Sequence, residues 1–273
     1  MLLALGLCLL SAAATAQQRV ISTDASITGI VSALGAADRL VGVDDTSTLP
    51  AAMATLPRLG YHRALSAEGL LSLNPDLLLL SEHAGPESAL APLAAAKVPM
   101  LRLPAALDLT TLMANVRAIA RALNTPGAGA ELVAALEARE SRRLAPTSHK
   151  APATVLLRES DGALRVAGQG SAGDALIRLI GADNAVDYQG YRSFSQEGLL
   201  ALNPELLLIA SASPMSPAEW LDRYPLLRHA RAGRADRVLI VDSAALIGGL
   251  GLATLDAADA LLDTLSGGSG AGP

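Results

Sequence analysis

A near-duplicate segment constrains this chain more than any other feature. Residues 66–79 read SAEGLLSLNPDLLL, and residues 195–208, 129 positions later, read SQEGLLALNPELLL, with 11 of the 14 positions identical. Two of the exchanges, Ser72/Ala201 and Asp76/Glu205, are mild, and each copy follows a Gly-Tyr pair, Gly60-Tyr61 in the first and Gly190-Tyr191 in the second. One pair of repeats at this separation is not a solenoid, which stacks several short units. It implies two similar lobes, each with the same turn, helix and strand. Ser66 suits an N-cap, Glu68 sits in the first turn where a carboxylate complements the helix dipole, and Asn74-Pro75 stops the helix. The unbroken apolar run at 77–80 then suits a strand covered on both faces.

The flanking segments fit the same plan. Residues 19–22, 25–34 and 40–43 read as strand, helix and strand, a βαβ unit that implies parallel pairing. A loop with Pro50 and Pro57 leads to Gly60-Tyr61, and a helix at 86–96 and a strand at 98–103 follow the repeat. The period then becomes helical twice, over 109–123 and 128–144. The second of these is crowded with Glu131, Glu137, Arg139, Glu140, Arg142 and Arg143, as expected of a solvent-washed helix between lobes. A strand at 154–158, a helix at 172–180 and, after the second repeat, a helix at 220–230, a strand at 238–241 and a helix at 250–265 complete the second lobe. The expected fold class is α/β: two Rossmann-like lobes with parallel sheets, joined by one long helix, with a ligand cleft between them. The expected boundaries are 1–16 for a signal peptide, 17–126 for the first lobe, 127–145 for the inter-lobe helix, 146–265 for the second lobe and 266–273 for a disordered Gly/Ser tail.

Composition narrows the function classes. Of 273 residues, 51% are hydrophobic and 17% charged, enough apolar surface for two packed cores. The net charge of −5 and the absence of a basic block argue against a nucleic-acid surface. Residues 1–16, MLLALGLCLLSAAATA, are uncharged and end in Ala-Thr-Ala, the pattern of a cleaved secretory signal, and are too short to span a membrane. The single cysteine, Cys8, lies inside that segment, and Leu7 stands where a lipoprotein signal has a small residue; the mature chain is expected to be soluble, periplasmic and free of disulfides and thiolate metal sites. Four of the six aromatic residues, Tyr61, Tyr188, Tyr191 and Phe194, lie at or just before a repeat, which hints at a ligand surface. The chain has no G-x-S-x-G elbow and no H-E-x-x-H, so a secreted hydrolase is the weaker alternative. The Gly168-Gln169-Gly170-Ser171 turn before a helix could hold an anion on its amides, or simply start the helix.

With this order of elements, the chain resembles the cluster of periplasmic binding proteins whose lobes are joined by a rigid helix and which serve ABC importers of haem, cobalamin and ferric siderophores. The segment Gly60 to Gly69, Gly-Tyr-x-Arg-x-Leu-Ser-x-Glu-Gly, is similar to the haem-binding branch. The resemblance implies a haem-iron ligand in Tyr61, whose phenolate is a hard anionic donor suited to ferric iron and a known type of axial ligand. Phenols ordinarily titrate near 10, so ligation at neutral pH needs the ferric ion and a nearby cation. Arg63, two residues on, matches the arginine given that role in the family. Tyr191, Arg192 and Phe194 would face the cleft from the second lobe if the repeats are spatially equivalent, the rings stacking on a porphyrin and Arg192 pairing with a propionate. Glu68 and Glu197 match the glutamates that dock each lobe onto arginines of the permease dimer, which works with its ATPase at the inner membrane.

Some relatives add a second-lobe histidine, but residues 159–163, Glu-Ser-Asp-Gly-Ala, contain none, so five-coordinate ferric haem on Tyr61 is the simpler expectation. His62 is read as a bystander, because neighbours on an extended segment point opposite ways; His83, His149 and His229 show no metal-ligand spacing, although His83, after the strand at 77–80, could look into the cleft. A monomeric, non-enzymatic carrier of haem is the expectation, with a corrinoid or a ferric siderophore as the alternative cargo.

Overall fold

The computed structural model describes residues 18–143, 151–160 and 162–267. Strand β1 (Val20–Ser22), helix α1 (Ala25–Ala33) and strand β2 (Leu40–Val43) form the anticipated parallel unit, with the Asp24 side chain capping α1 through the Ser26 amide at 2.8 Å. The first repeat supplies α2 (Ala67–Ser72), capped by Ser66 at the Gly69 amide, and β3 (Leu77–Ser81), every residue of which is buried. Helix α3 (Glu87–Ala95) and strand β4 (Met100–Leu103) complete a four-stranded parallel sheet of order β2-β1-β3-β4. Asn74 takes φ +42° and, in the second copy, Asn203 takes φ +46°. Asparagine tolerates this left-handed turn, and with the proline that follows it explains why both repeats spell Leu-Asn-Pro at the helix end.

Helices α4 (Leu109–Ala122) and α5 (Pro126–Arg143) follow. The expectation of a solvent-washed α5 needs correction. Val133 and Leu136 are buried in the first lobe's core, and Gly129 meets Ala120 of α4 so closely that a side chain there would overlap it. Only the outer face of α5 is washed by solvent, because the Val and Leu recur at helical spacing among the charges.

The second lobe opens with β5 (Ala153–Ser160) and β6 (Ala163–Ala167), an antiparallel hairpin with Gly162 at its tip in the left-handed region, φ +72°. Helix α6 (Ala172–Leu179), the two-residue β7 (Asp183–Asn184) and β8 (Tyr191–Phe194) precede the second repeat, which forms α7 (Gln196–Leu202) and β9 (Leu206–Ser211). Helix α8 (Pro217–Arg223), a 3-10 turn at Pro225–His229, the single-turn α9 (Arg231–Arg234), β10 (Val238–Asp242) and α10 (Leu252–Gly267) end the described chain. The sheet order is β10-β9-β5-β6-β8, with β7 beside β5. Its β10, β9 and β5 run parallel as expected, but β6 and β8 extend it as an antiparallel edge. The expected helix at 220–230 is instead α8 and the 3-10 turn, broken by Pro225, which has no amide to continue the helical bonds.

The lobes are joined by more than α5. The Leu250 amide donates to the Ala106 carbonyl at 2.6 Å, and Leu250 and Leu255 pack into the first lobe's core together with Ala175 of α6. Gly248 lies so close to Asp24 that an added Cβ would meet both carboxylate oxygens and stand 2.6 Å from Cγ. On the other side, Arg139 and Arg143 of α5 pair with Asp259 of α10, and Arg139 also reaches Asp256 at 2.8 Å. Two sheets fastened at these points suit a small relative motion rather than a wide hinge. The N-terminal segment 1–16, Cys8, His149, most of the 145–152 break and the tail beyond 267 lie outside the described residues. Among the described residues no helix is long and apolar enough to cross a membrane.

Candidate functional site

A cleft of about 250 Å³ opens between the lobes where the strands end. From the first lobe it is lined by Asp24, Tyr61, His62, Arg63, Glu82 and His83, and from the second by Arg158, Ala172, Tyr191 and the turn from Ser243 to Gly248. Ligand sites at the carboxyl ends of strands are what this architecture favours. A slot of this size grips one part of a large ligand and leaves the rest toward solvent.

Tyr61 stands on a tight turn, not on the extended segment expected. The Ala64 amide closes the turn on the Tyr61 carbonyl at 2.8 Å. Gly60, at φ +80°, offers its carbonyl to the Asp45 amide at 3.0 Å, and the His62 carbonyl accepts the Gly85 amide at 2.8 Å, so the turn is held on both sides. The His62 ring points back into the lobe, where its Nδ1 lies 3.1 Å from Asp44 Oδ2. Asp44 is fully buried and also accepts from Thr46 Oγ1 at 2.6 Å and Ser47 Oγ at 2.7 Å, and Ser47 Oγ continues to Thr28 Oγ1 at 2.7 Å. His62 is thus the anchor of the turn, while Tyr61, packed against it with ring centroids 4.3 Å apart, is 49% exposed toward the cleft. A half-exposed phenol on a fixed turn is an available donor atom.

Arg63 is exposed in the same cleft and makes no hydrogen bond or ion pair among the described residues, the Tyr61 phenol included. On the cleft floor, burial pushes the Asp24 carboxyl up; Ser26 pulls it down, neighbouring Asp44 raises it and His62 lowers it. His83 does reach the cleft rim, with its Nε2 3.6 Å from Glu82 Oε1. Among the described residues no group of three His, Cys, Asp or Glu side chains could hold a bare metal ion.

The second lobe brings one of its three anticipated residues to the cleft. Tyr191 lines it, but Arg192 and Phe194 lie on the other face of β8, since neighbours along a strand alternate. The Arg192 guanidinium sits 4.4 Å from the centre of the Tyr188 ring, which stacks on Phe194 at 6.0 Å, and all three cover the outer core of that lobe. Burial pushes the Tyr188 phenol up to about 12, only partly offset by Arg192. Tyr191 docks its hydroxyl at the start of α6. Burial pushes that phenol up too, despite the opposing influence of Arg158, the Gly173 amide and the Ser171 side chain, so it stays protonated at neutral pH. Sequence reasoning passed over Arg158 and Arg165. Arg158 lines the cleft with its guanidinium 4.7 Å from the Tyr191 ring centre, and Arg165 stands beside it on β6.

The glycine-rich turn before α6 holds its own anion. The Gly170 amide donates to Asp174 Oδ2 at 3.1 Å and Ser171 Oγ to the Gly168 carbonyl at 2.7 Å, so this is an ordinary helix start. Glu68 and Glu197 sit in the first turns of α2 and α7, both exposed, one on each lobe. Glu197's own backbone amide and Ser195 hold its carboxyl below the usual range.

A family model described as periplasmic binding protein matches residues 20–245. Among solved structures, the periplasmic haem-binding protein of Vibrio cholerae is similar over 91% of this chain and 99% of its own, at 30% identity and a TM-score of 0.85. A periplasmic haem-binding protein from Pseudomonas aeruginosa matches at 35% identity and a TM-score of 0.81, over 90% of this chain and 92% of its own. A vitamin B12-binding protein of Pectobacterium atrosepticum is 25% identical over 217 residues, 76% of this chain and 77% of that protein.

Proposed function

The chain belongs to the periplasmic binding protein family, and from that premise we propose that it captures ferric haem in the periplasm and delivers it to an ABC importer. The observation that carries this reading is Tyr61: a half-exposed phenol on a turn fixed by His62 and Asp44, with an unpartnered Arg63 two residues on, facing a cleft between lobes. A phenolate is a hard donor that matches ferric iron, and a guanidinium beside it favours the charged form. Tyr191, held as a neutral phenol at the start of α6, is a poor second ligand, which supports five-coordinate iron on Tyr61. Two relatives named as haem-binding proteins, 30% and 35% identical over nearly the whole chain, support the same cargo. The family is one of binding proteins, so capture rather than turnover is the task. Glu68 and Glu197, one on each lobe and both free to be met from outside, suit docking onto a two-fold symmetric permease.

A corrinoid is the second reading, favoured by the relative named as a vitamin B12-binding protein. Parallel titrations of the mature chain with hemin, cyanocobalamin and a ferric siderophore, followed by absorption, separate the cargoes. Saturable binding of hemin alone is the expected result. Tight cyanocobalamin binding with only non-saturating hemin association would replace the haem reading.

A further inference from the structure

We propose that Arg158 and Arg165 form a carboxylate clamp in the cleft, selecting a ligand with two free acidic groups on one edge over a ring of similar size bearing amides or esters. This inference rests on the haem reading and names what the second lobe contributes to it. The β5–β6 hairpin sets Arg158 directly opposite Arg165, and β8 sets Ser193 opposite Arg165 and Tyr191 opposite Ala167. Residues directly opposed on antiparallel strands share a face, with Cβ atoms about 4.5–5.5 Å apart. Arg158, Arg165 and Tyr191 therefore lie on one face of the sheet, the face from which Arg158 and Tyr191 line the cleft.

Two like charges directly opposed on neighbouring strands oppose folding unless something neutralises them. No carboxylate does so among the described residues. Among those residues Arg158 has only the Tyr191 ring, and Arg165 Nε is buried with no described acceptor. The contrast with the next residue is direct: Glu159, on the other face of β5, is paired with Arg223 at 3.1 Å. The acids that line the cleft sit on the first-lobe wall and are engaged there, Asp24 by Ser26 and Glu82 by the Ala105 amide at 3.1 Å. The cleft thus has one wall with a metal donor, Tyr61, and an opposite wall where Arg158 faces the opening with Arg165 directly across the hairpin from it. Guanidinium forks recognise carboxylates in a bidentate, planar way, and an amide or ester offers neither the charge nor the second equivalent oxygen. A porphyrin with two propionates on one edge satisfies both walls; a corrin decorated with amides satisfies neither arginine.

The test is a set of absorption titrations with hemin and with hemin dimethyl ester, on wild type, R158Q, R165Q, the double Gln variant and the double Lys variant, each checked for a native melting transition. Wild type is expected to bind hemin at least about tenfold more tightly than the ester, because a charged hydrogen-bonded contact contributes more than a neutral one. The double Gln variant should reduce that ratio to about two or less while keeping the ester's affinity, and the double Lys variant should retain an intermediate ratio. Equal wild-type affinities, or Gln variants that weaken both ligands alike, would overturn the clamp while leaving haem binding standing. Absence of saturable hemin binding in wild type would remove the haem reading and the clamp together. Should R165Q fail to fold, R158Q decides by the same ratio, since Arg158 is exposed.

Discussion

Replacing Gly248 by alanine tests how the two lobes are fastened. Gly248 has φ +82°, and its Cα abuts the carboxylate of Asp24, the buried N-cap of α1. The left-handed conformation costs a residue with a Cβ about 1–2 kcal/mol, and overpacking a well-filled site adds about 1–3. Moving Asp24 aside also sacrifices its cap on Ser26, about 1 kcal/mol more. Together these give about 3 kcal/mol or more, against which alanine's reduced freedom in the unfolded chain returns less than about 1. Gly35→Ala is the control, because Gly35 has a similar φ of +70° but open space where the Cβ would go. For a chain of this size 1 kcal/mol moves Tm by about 2–4 °C. Thermal unfolding by circular dichroism should therefore place Gly248→Ala at least about 5 °C below wild type and clearly below Gly35→Ala. Equal Tm values for the two variants would refute the close packing of the Ser243–Gly248 turn on Asp24.

Three further expectations follow from the same contacts. Asp259→Asn removes the acceptor shared by Arg139 and Arg143 and should cost about 2 kcal/mol at pH 7, less than for a fully buried pair because Asp259 is 44% exposed. Burial raises the Asp259 carboxyl, but the hydrogen bonds and charges of the two arginines outweigh it and hold the group below its usual range. Its stabilising contribution is thus fully present above about pH 4 and lost as pH falls through its depressed folded value, so the Tm gap between wild type and variant should narrow progressively as pH is lowered below about 4. Arg192→Ala should leave hemin affinity unchanged while costing about 0.5–1 kcal/mol through the lost contact with Tyr188; weaker hemin binding would mean that this side chain reaches the cleft. Glu68→Arg with Glu197→Arg should leave the hemin titration unaltered and abolish association with the importer permease reconstituted in nanodiscs, and undiminished association would remove the docking role.

The repeat made the two lobes legible because it encodes local devices, a serine cap, a leucine-rich helix and an Asn-Pro stop, that act the same way in any context. Equivalence fails just upstream of it. Tyr61 precedes its capping Ser66 by five residues and Tyr191 precedes Ser195 by four. That one-residue difference accompanies a turn in the first lobe and a strand in the second, where the pleat sends Arg192 and Phe194 to the outer face. Arg158 and Arg165 carried no signal because their significance is a cross-strand register: the strand at 154–158 was legible, but its short partner β6, interrupted by Arg165, was not. Asp44 was equally silent. An aspartate after a strand is ordinary, and only the packing of the 60–64 turn over β2 buries it and makes it the anchor of His62. The glycine-rich turn misled in the opposite sense, since the anion on its amide is Asp174, four residues away on the same chain.

The central claim is that Tyr61 meets the iron. The most direct measurement is the visible spectrum of the hemin complex of wild type beside that of Tyr61→Phe, which removes one oxygen from an exposed ring and leaves the His62–Asp44 anchor in place. Wild type should show a saturable ferric complex with a tyrosinate-to-iron charge-transfer band, and the variant should lose that band and bind hemin at least about tenfold more weakly. A variant with the same band and the same affinity as wild type would contradict the account.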